Sequence, residues 1–417
     1  MRKEKEYSRD FDFMPNHPAG VLASKGFRAG ATYCGLKTYG EGKLDLGLLV
    51  SSVPAAVAGV YTQSLVKAAP VLLDMEVTKK GYARAVIYNA GIANACTGEQ
   101  GYLDAQEMQR LAGEKLDVPA NEILVTSTGV IGHLLPMDKI RAGVDSIELA
   151  EGEGVGTQAS FCIMTTDSRP KRAVARLSWD GQVVFIGGMC KGAGMIHPNM
   201  ATMLCYVTTD AAATPKFLQE TLSEVAQDTF NMITVDGDTS TNDTALLLAN
   251  GLSGTPELGN GAPAEYERIF KAALRELMTY LAKEIARDGE GATKLMEIWV
   301  RGAANKAEAR LAVRTIAGSM LTKSAVYGGD PNWGRIIAAA GRSGANFNPS
   351  QTDIYIGNLP LMLAGTPQPF EKALAQAELT GPQIYITVDL HAGDEEAVGW
   401  GCDLTEEYVV INSEYET

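Results

Sequence analysis

The chain has 417 residues, 46% of them apolar and 21% charged, with a formal charge of -14. That balance describes a folded globular protein, and the acidity excludes a nucleic-acid groove built from Lys and Arg. No apolar run is long enough for a membrane span, so none is expected.

The N-terminus, Met1 to Glu6, is charged and lacks the apolar core of a secretory signal. Six cysteines (34, 96, 162, 190, 205, 402) lie far apart with no Cys-x-x-Cys pair, and read as reduced thiols of a cytoplasmic protein. The four histidines are equally dispersed, so neither a metal nor another cofactor is expected. The length calls for two domains or two closely packed halves.

In chain order, the first predicted strands are Arg84–Tyr88 and Ile123–Val125, the second running into a Ser127-Thr128-Gly129 turn. Glu151–Gly156 looks superficially like a dinucleotide loop, but it follows no strand and reads as a surface turn. Strand Val183–Ile186 leads to a Gly-rich loop, 191–202, and then to an apolar strand, Met203–Val207. A helix starts at the Thr214-Pro215 cap, with Leu218, Leu222 and Val225 on one face. Asp236-Gly237-Asp238 reads as a turn that holds Thr239, Thr241 and Asn242 by local bonds, rather than as a metal site. After strand Ala245–Leu248, the stretch 250–261 is the linker candidate. The longest helix spans Ala264–Arg287, its stripe being Tyr266, Phe270, Ala273, Leu277 and Leu281. Strand Leu295–Val300 follows, then a helix starting at Asp330-Pro331. Three strands, Asp353–Ile356, Ile384–Val388 and Tyr408–Val410, close the pattern. The mixture gives an α/β (α+β) class without fixing the sheet order.

The chemistry concentrates in Lys191-Gly192-Ala193-Gly194-Met195-Ile196-His197-Pro198-Asn199-Met200-Ala201-Thr202. Glycines and a proline shape a loop that delivers one hydroxyl, Thr202, to the mouth of a buried strand. Attack of that hydroxyl on the carbonyl of Ala201 would cleave the chain and leave Thr202 as a new N-terminus. The freed α-amine, with a pKa of about 7.7–8.0 in model peptides, then serves as base for its own hydroxyl, so no triad is needed. His197 reads as a loop-packing residue. Acyl transfer also needs an oxyanion site, which the Thr128 hydroxyl and Gly129 N–H can supply.

The chain resembles the self-cleaving glutamate N-acetyltransferases (ornithine acetyltransferases) of arginine biosynthesis. The likeness runs in order through Lys25–Gly30, Asn89–Gly98, Ser127–Gly132, Met164–Asp167, 191–202, Asp236–Asp243, Asp288–Lys294, Tyr327–Arg335 and Asn412 to Thr417. It implies a layered αββα domain resembling the N-terminal-nucleophile hydrolases over 1–260, with a smaller C-terminal α/β domain over 261–417. It also implies transfer of acetyl from N2-acetyl-L-ornithine to L-glutamate, with acetyl-CoA left open as a further donor. By the same resemblance Thr202 is the nucleophile, Thr128 and Gly129 form the oxyanion site, and Ala201–Thr202 is the cleavage point. Thr165, Lys191, Thr202, Glu290, Asn412 and Thr417 bind substrate, Glu290 taking the ornithine ammonium; Thr166 competes with Thr165. The assembly implied is two alpha and two beta chains. Two rival readings stay open: a self-processing aminopeptidase with the same nucleophile, and a non-catalytic amino-acid-binding protein.

Overall fold

The computed structural model describes residues 10–37, 42–197 and 203–414. Its first strands are β1 (Phe11–Pro15), β2 (Phe27–Thr32), β3 (Leu46–Tyr61), β4 (Tyr82–Ile92), β5 (Ile123–Val130), β6 (Lys171–Trp179), β7 (Gln182–Lys191) and β8 (Leu204–Thr209). There follow β9 (Ile233–Thr234), β10 (Thr244–Ala249), β11 (Leu295–Ala303), β12 (Asp353–Ile356), β13 (Leu359–Leu363), β14 (Thr366–Pro367), β15 (Gln383–Asp389) and β16 (Glu395–Cys402). The helices are α1 (Ala69–Thr78), α2 (Gly98–Leu116), α3 (Met137–Ser146), α4 (Glu153–Cys162), α5 (Pro215–Asp228) and α6 (Ala264–Arg287). The last are α7 (Lys306–Ala317), α8 (Met320–Tyr327), α9 (Trp333–Gly341), α10 (Lys372–Ala377) and α11 (Glu406–Glu414).

Among the described residues the strands form two sheets, so the mixed α/β class holds. The first has nine strands, ordered β1-β6-β7-β8-β10-β3-β4-β5 with β2 also paired to β3; the second has seven, ordered β14-β13-β12-β15-β11-β16-β9. At the centre of the first sheet, β8 and β10 pair in parallel, Leu204 against Thr244. Leu204 and Tyr206 enter one apolar cluster while Cys205 and Val207 enter another. Burial on both faces explains why this segment reads as an unbroken apolar run. Each large side chain buried there contributes about 1.5–3 kcal/mol.

The long β3 is bent where its register against β4 shifts, between Val50 and Ala55. Pro54 lies in that interval and has no N–H to give a ladder. Its first half pairs with β2 and its second with β10. Helix α6 follows its predicted stripe: Tyr266, Phe270, Ala273, Leu277 and Leu281 are all fully buried, packed mainly on β6 and β7. The Thr214 hydroxyl caps α5 by accepting from the N–H of Phe217 at 3.2 Å.

Four local expectations fail. Ser127-Thr128-Gly129 is not a turn but part of β5, whose pairing with β4 runs through Asn89, Ala90 and Gly91. Tyr408–Val410 lies in α11, not a strand; Glu406 and Glu407 open that helix, where negative charge is favoured. Glu153 starts α4, so the 151–156 segment enters a helix instead of remaining a turn. Helix α9 begins at Trp333 rather than at Pro331, because the Asn332 side chain takes the cap by accepting from the N–H of Arg335 at 3.1 Å. Residue 260, the expected domain limit, falls between β10 and α6. Strand β9 precedes that point but belongs to the second sheet, and α6 touches both sheets through one continuous core.

Candidate active site

A cavity of about 160 Å³ gathers Thr128, Gly129, Thr165, Lys191, Glu290 and Asn412 from five separate parts of the chain. These are the predicted site residues that lie within the described residues. Ala201, Thr202 and Thr417 lie outside the described residues. Thr165 and Thr166 both line the cavity, so the two share that wall.

Strands β4 and β5 build the Thr128–Gly129 corner. Their parallel ladder breaks where Gly91 faces Gly129 and Ile92 is matched to both Thr128 and Val130. Gly129 has φ +131°, and a methyl group there would collide with the Gly91 carbonyl group. Only glycine fits this close approach. The Asn242 amide pins the same corner, donating to the carbonyls of Ala93 at 2.6 Å and Ser127 at 2.8 Å.

Lys191 ends β7 opposite Leu204, the second residue of the chain that resumes after the undescribed 198–202 segment. Its buried ammonium donates to the Thr128 hydroxyl oxygen at 3.3 Å. That oxygen then has its own proton left to give, and a cation on it strengthens it as a donor. Burial lowers the Lys191 pKa, while Asp167, Glu290 and Asp243 oppose the fall and Lys171 adds to it. Burial alone would raise Asp167; instead the Lys171 and Lys191 ammonium groups hold its carboxyl well below the usual carboxylate range. Lys171, against the effect of burial, is raised by Asp167 and Asp288.

Glu290 follows α6 and is buried. Its backbone N–H donates to Ala193 O at 3.0 Å, and its carboxylate accepts from the Asn412 amide at 2.8 Å. Gly194 lies directly against the carboxylate, so any side chain there would have to displace it. Helix α11 presents Tyr408 and Asn412, one turn apart, to the same cavity. The Tyr408 phenol is pushed up by burial, reinforced by Asp236, Glu290 and Asp238.

The chain on either side of 198–202 is anchored by Asp236, Asp243 and their neighbours. Asp236 accepts from the N–H groups of Met195 at 2.6 Å, Ile196 at 2.9 Å and Asp238 at 3.1 Å. Met195 sits at φ +56°, a left-handed conformation those bonds support. Asp243 accepts from Met203 N–H at 3.0 Å. The ring of His197 meets the Thr234 hydroxyl at 3.0 Å and the Arg314 guanidinium at 3.0 Å, and its carbonyl accepts from Thr239 at 2.7 Å. Burial, then Arg314, pulls its pKa down to about 4, so this imidazole is neutral and clamped. The segment 236–243 carries some local bonds, such as Asp238 N–H to Asp236, but holds the site mainly through bonds to distant backbone groups at 195–197, Ala93 and Ser127, where the sequence suggested a local turn.

Sequence reasoning gave Asp236, Asp238 and Tyr408 no place in the cavity, though all three line it. The Asp236–Asp243 motif was a usable signal for the first two. Lys171 carried none. With Lys191 on one wall and Glu290, Asp236 and Asp238 on the others, the cavity offers opposite charges to one small ligand, which suits an amino acid.

Comparison with known proteins finds named relatives over most of the chain. The arginine biosynthesis bifunctional protein ArgJ of Symbiobacterium thermophilum is 54% identical over 95% of this chain and 98% of its own length. Its namesake in Lactococcus lactis is 48% identical, also over 95% of this chain and 98% of its own length. A crystal structure of an ornithine acetyltransferase complexed with ornithine, from Mycobacterium tuberculosis, is 41% identical, covering 45% of this chain and 99% of that one with a TM-score of 0.42. The family model described as the ArgJ family matches residues 28–417. Spanning nearly the whole sequence, that match means that this chain belongs to the ArgJ family.

Proposed function

We propose that this chain is a glutamate N-acetyltransferase that moves acetyl from N2-acetyl-L-ornithine to L-glutamate through an ester on Thr202. The observation that carries the reading is the convergence of Thr128, Gly129, Thr165, Lys191, Glu290 and Asn412 on one cavity. Family membership supports it, and the word bifunctional in the relatives' names supports trying acetyl-CoA as a second donor.

The chain first cleaves itself: the Thr202 hydroxyl attacks the Ala201 carbonyl, the peptide C–N bond breaks to leave an ester and a free α-amine, and water hydrolyses the ester to a carboxylate on Ala201. The freed α-amine of Thr202 takes the proton of its hydroxyl as the oxygen attacks the acetyl carbonyl of acetylornithine. The negative charge that develops on the carbonyl oxygen is met by the Thr128 hydroxyl and the Gly129 N–H, worth about 10²–10³ in rate per donor. The amide C–N bond breaks, the Thr202 ammonium returns its proton to the leaving nitrogen, and ornithine departs. The α-amine of glutamate then attacks the acetyl ester by the reverse path and restores the Thr202 hydroxyl. Lys191 serves the carboxylate side of the substrate, Glu290 the ornithine ammonium, and Thr165, Asn412 and Thr417 complete the contacts. Polypeptides 1–201 and 202–417 stay together, in an assembly of two of each.

The test uses the purified full-length protein with acetylornithine and glutamate. Acetylglutamate should form with parallel double-reciprocal lines, and denaturing electrophoresis should show two bands, one with the N-terminal sequence Thr-Met-Leu-Cys. Thr202→Ala should abolish both cleavage and transfer. Release of free acetate without acetylglutamate would instead assign a hydrolase, and an intact chain without turnover a binding protein.

A further inference from the structure

Behind the cavity lies a charge cluster that the transfer chemistry does not itself use. Lys171 opens β6 with a fully buried side chain, and its ammonium reaches Asp167 at 2.6 Å and Asp288 at 2.6 Å. Both carboxylates belong to segments that build the site. Asp167 also accepts from Gly192 N–H at 2.7 Å and Thr165 N–H at 3.0 Å, which ties the start of the loop toward Thr202 to the threonine wall. Asp288 accepts from the backbone N–H of Ser168 at 3.1 Å and from its hydroxyl, two residues before Glu290. One ammonium thereby joins three walls of the cavity from behind.

Lys191 lies in the same buried neighbourhood and does reach the cavity. It feels Asp167 as its strongest attractive charge. A buried carboxylate is costly without a cation, so Asp167 must be served by one lysine or the other. While Lys171 serves it, Lys191 stays on Thr128. Without Lys171, Asp167 keeps Lys191, its next strongest lysine, along with the buried Lys37, and the Lys191 ammonium is drawn from Thr128 toward Asp167 at the end of β7, where Asp167 already holds Gly192 N–H.

We propose that Lys171 is a positioning residue for acetyl transfer: by occupying Asp167 and Asp288 it leaves the Lys191 ammonium on Thr128 and fixes the turn that carries Glu290. It touches neither substrate nor reacting atoms. The inference rests on the reading of Thr128 as an oxyanion donor in the function proposed above.

The consequence has a direction in pH. The charges around Lys191 are Asp167, Glu290 and Asp243, which favour its ammonium, and Lys171, which opposes it along with burial. Removing the Lys171 charge makes Lys191 hold its proton to higher pH, so the alkaline limb of the kcat profile should move upward.

The experiment compares the full-length wild type with Lys171→Met, Lys171→Arg and the double variant Lys171→Met/Asp288→Asn. The double variant removes one of the two orphaned carboxylates while keeping the competition for Asp167. No transfer by the wild type would refute the proposed function, whatever Lys171 does. With an active wild type, the Met-containing variants should lose about 10²-fold in kcat, as expected for a misplaced group. KM for acetylornithine should rise as well, since Lys191 and the Glu290 turn are assigned to substrate binding, and the alkaline limb should shift up. Lys171→Arg, which keeps the charge, should hold the limb at the wild-type position and recover part of kcat. A folded Met variant or double variant with an unmoved limb or an undiminished kcat overturns the proposal. Should neither of these fold, Lys171→Arg decides it: a displaced limb overturns the proposal, and a wild-type limb supports it.

Discussion

Substituting Gly194 with alanine probes the site with one methyl group. In the folded chain that methyl would press against both oxygens of the Glu290 carboxylate, far inside ordinary contact. An unstrained carbon–oxygen separation is about 3.3 Å, so the carboxylate must retreat by about 1 Å. It sits at the end of a flexible side chain, and such a retreat leaves the backbone alone. A retreat of that size breaks the 2.8 Å bond from Asn412 and, on the function proposed above, displaces the charge assigned to the substrate ammonium. A hydrogen bond to a charged group is worth about 1.5–3 kcal/mol, which corresponds to roughly ten- to hundred-fold in affinity. Gly194→Ala should therefore lower kcat/KM for acetylornithine by that factor and leave the thermal unfolding midpoint close to wild type. Steady-state kinetics and calorimetry on the same preparation check this, with electrophoresis confirming that cleavage still occurs. Unchanged kinetics in the folded variant would show that the Glu290 carboxylate does not meet the substrate. Collapse of the fold would show that its surroundings are rigid, contrary to the argument.

Two further perturbations separate roles within the site. Thr128→Ala should lower kcat about 10²–10³-fold with little change in KM, because an oxyanion donor acts in the transition state; a rise in KM alone would make Thr128 a ground-state contact. His197, held near 4 against an ordinary value of 6.5, is a pH probe of the loop. The unfolded chain takes up this proton first, so the stability contributed by neutral His197 is complete above about 6.5 and is lost as pH falls toward 4. Melting curves of wild type and His197→Gln across that window should diverge, the wild type losing more on acidification; parallel curves would refute the clamp.

What could be read in the sequence followed from periodicity and from residues with special geometry. The α6 stripe and the apolar run of β8 predicted burial because each carries its own period or length. Gly129 and the loop glycines were legible as places of close backbone approach. Tyr408–Val410 misled because a Tyr-Val-Val triplet has strand character, whereas its neighbourhood decides otherwise. Tyr408 and Asn412 turn toward the cavity as neighbours on a helix, while Val409 remains 65% exposed, so burial of the valines is not what places the segment. Lys171 was silent because a lysine before a strand resembles any surface lysine; one of its partners lies 117 residues away. Asp236 was read as part of a local turn, yet its carboxylate accepts from N–H groups about 40 residues earlier, which no local pattern reveals.

The strand order of the first sheet bears on the cleavage proposed at Ala201–Thr202. Strands β8 and β10, both after residue 202, lie between β7 on one side and β3 on the other, both before it. A cut at Ala201–Thr202 therefore separates two polypeptides whose strands alternate within one sheet. Neither piece alone can pair both edges of its strands, and the exposed edges invite aggregation. Assembly as one chain makes the pairing intramolecular, and cleavage afterwards makes it bimolecular. Once unfolded, the cleaved protein should regain its structure poorly and in a concentration-dependent way, whereas an uncleaved variant should refold as a single unit. On that proposal, persistence of the cleaved form is governed by how slowly it opens.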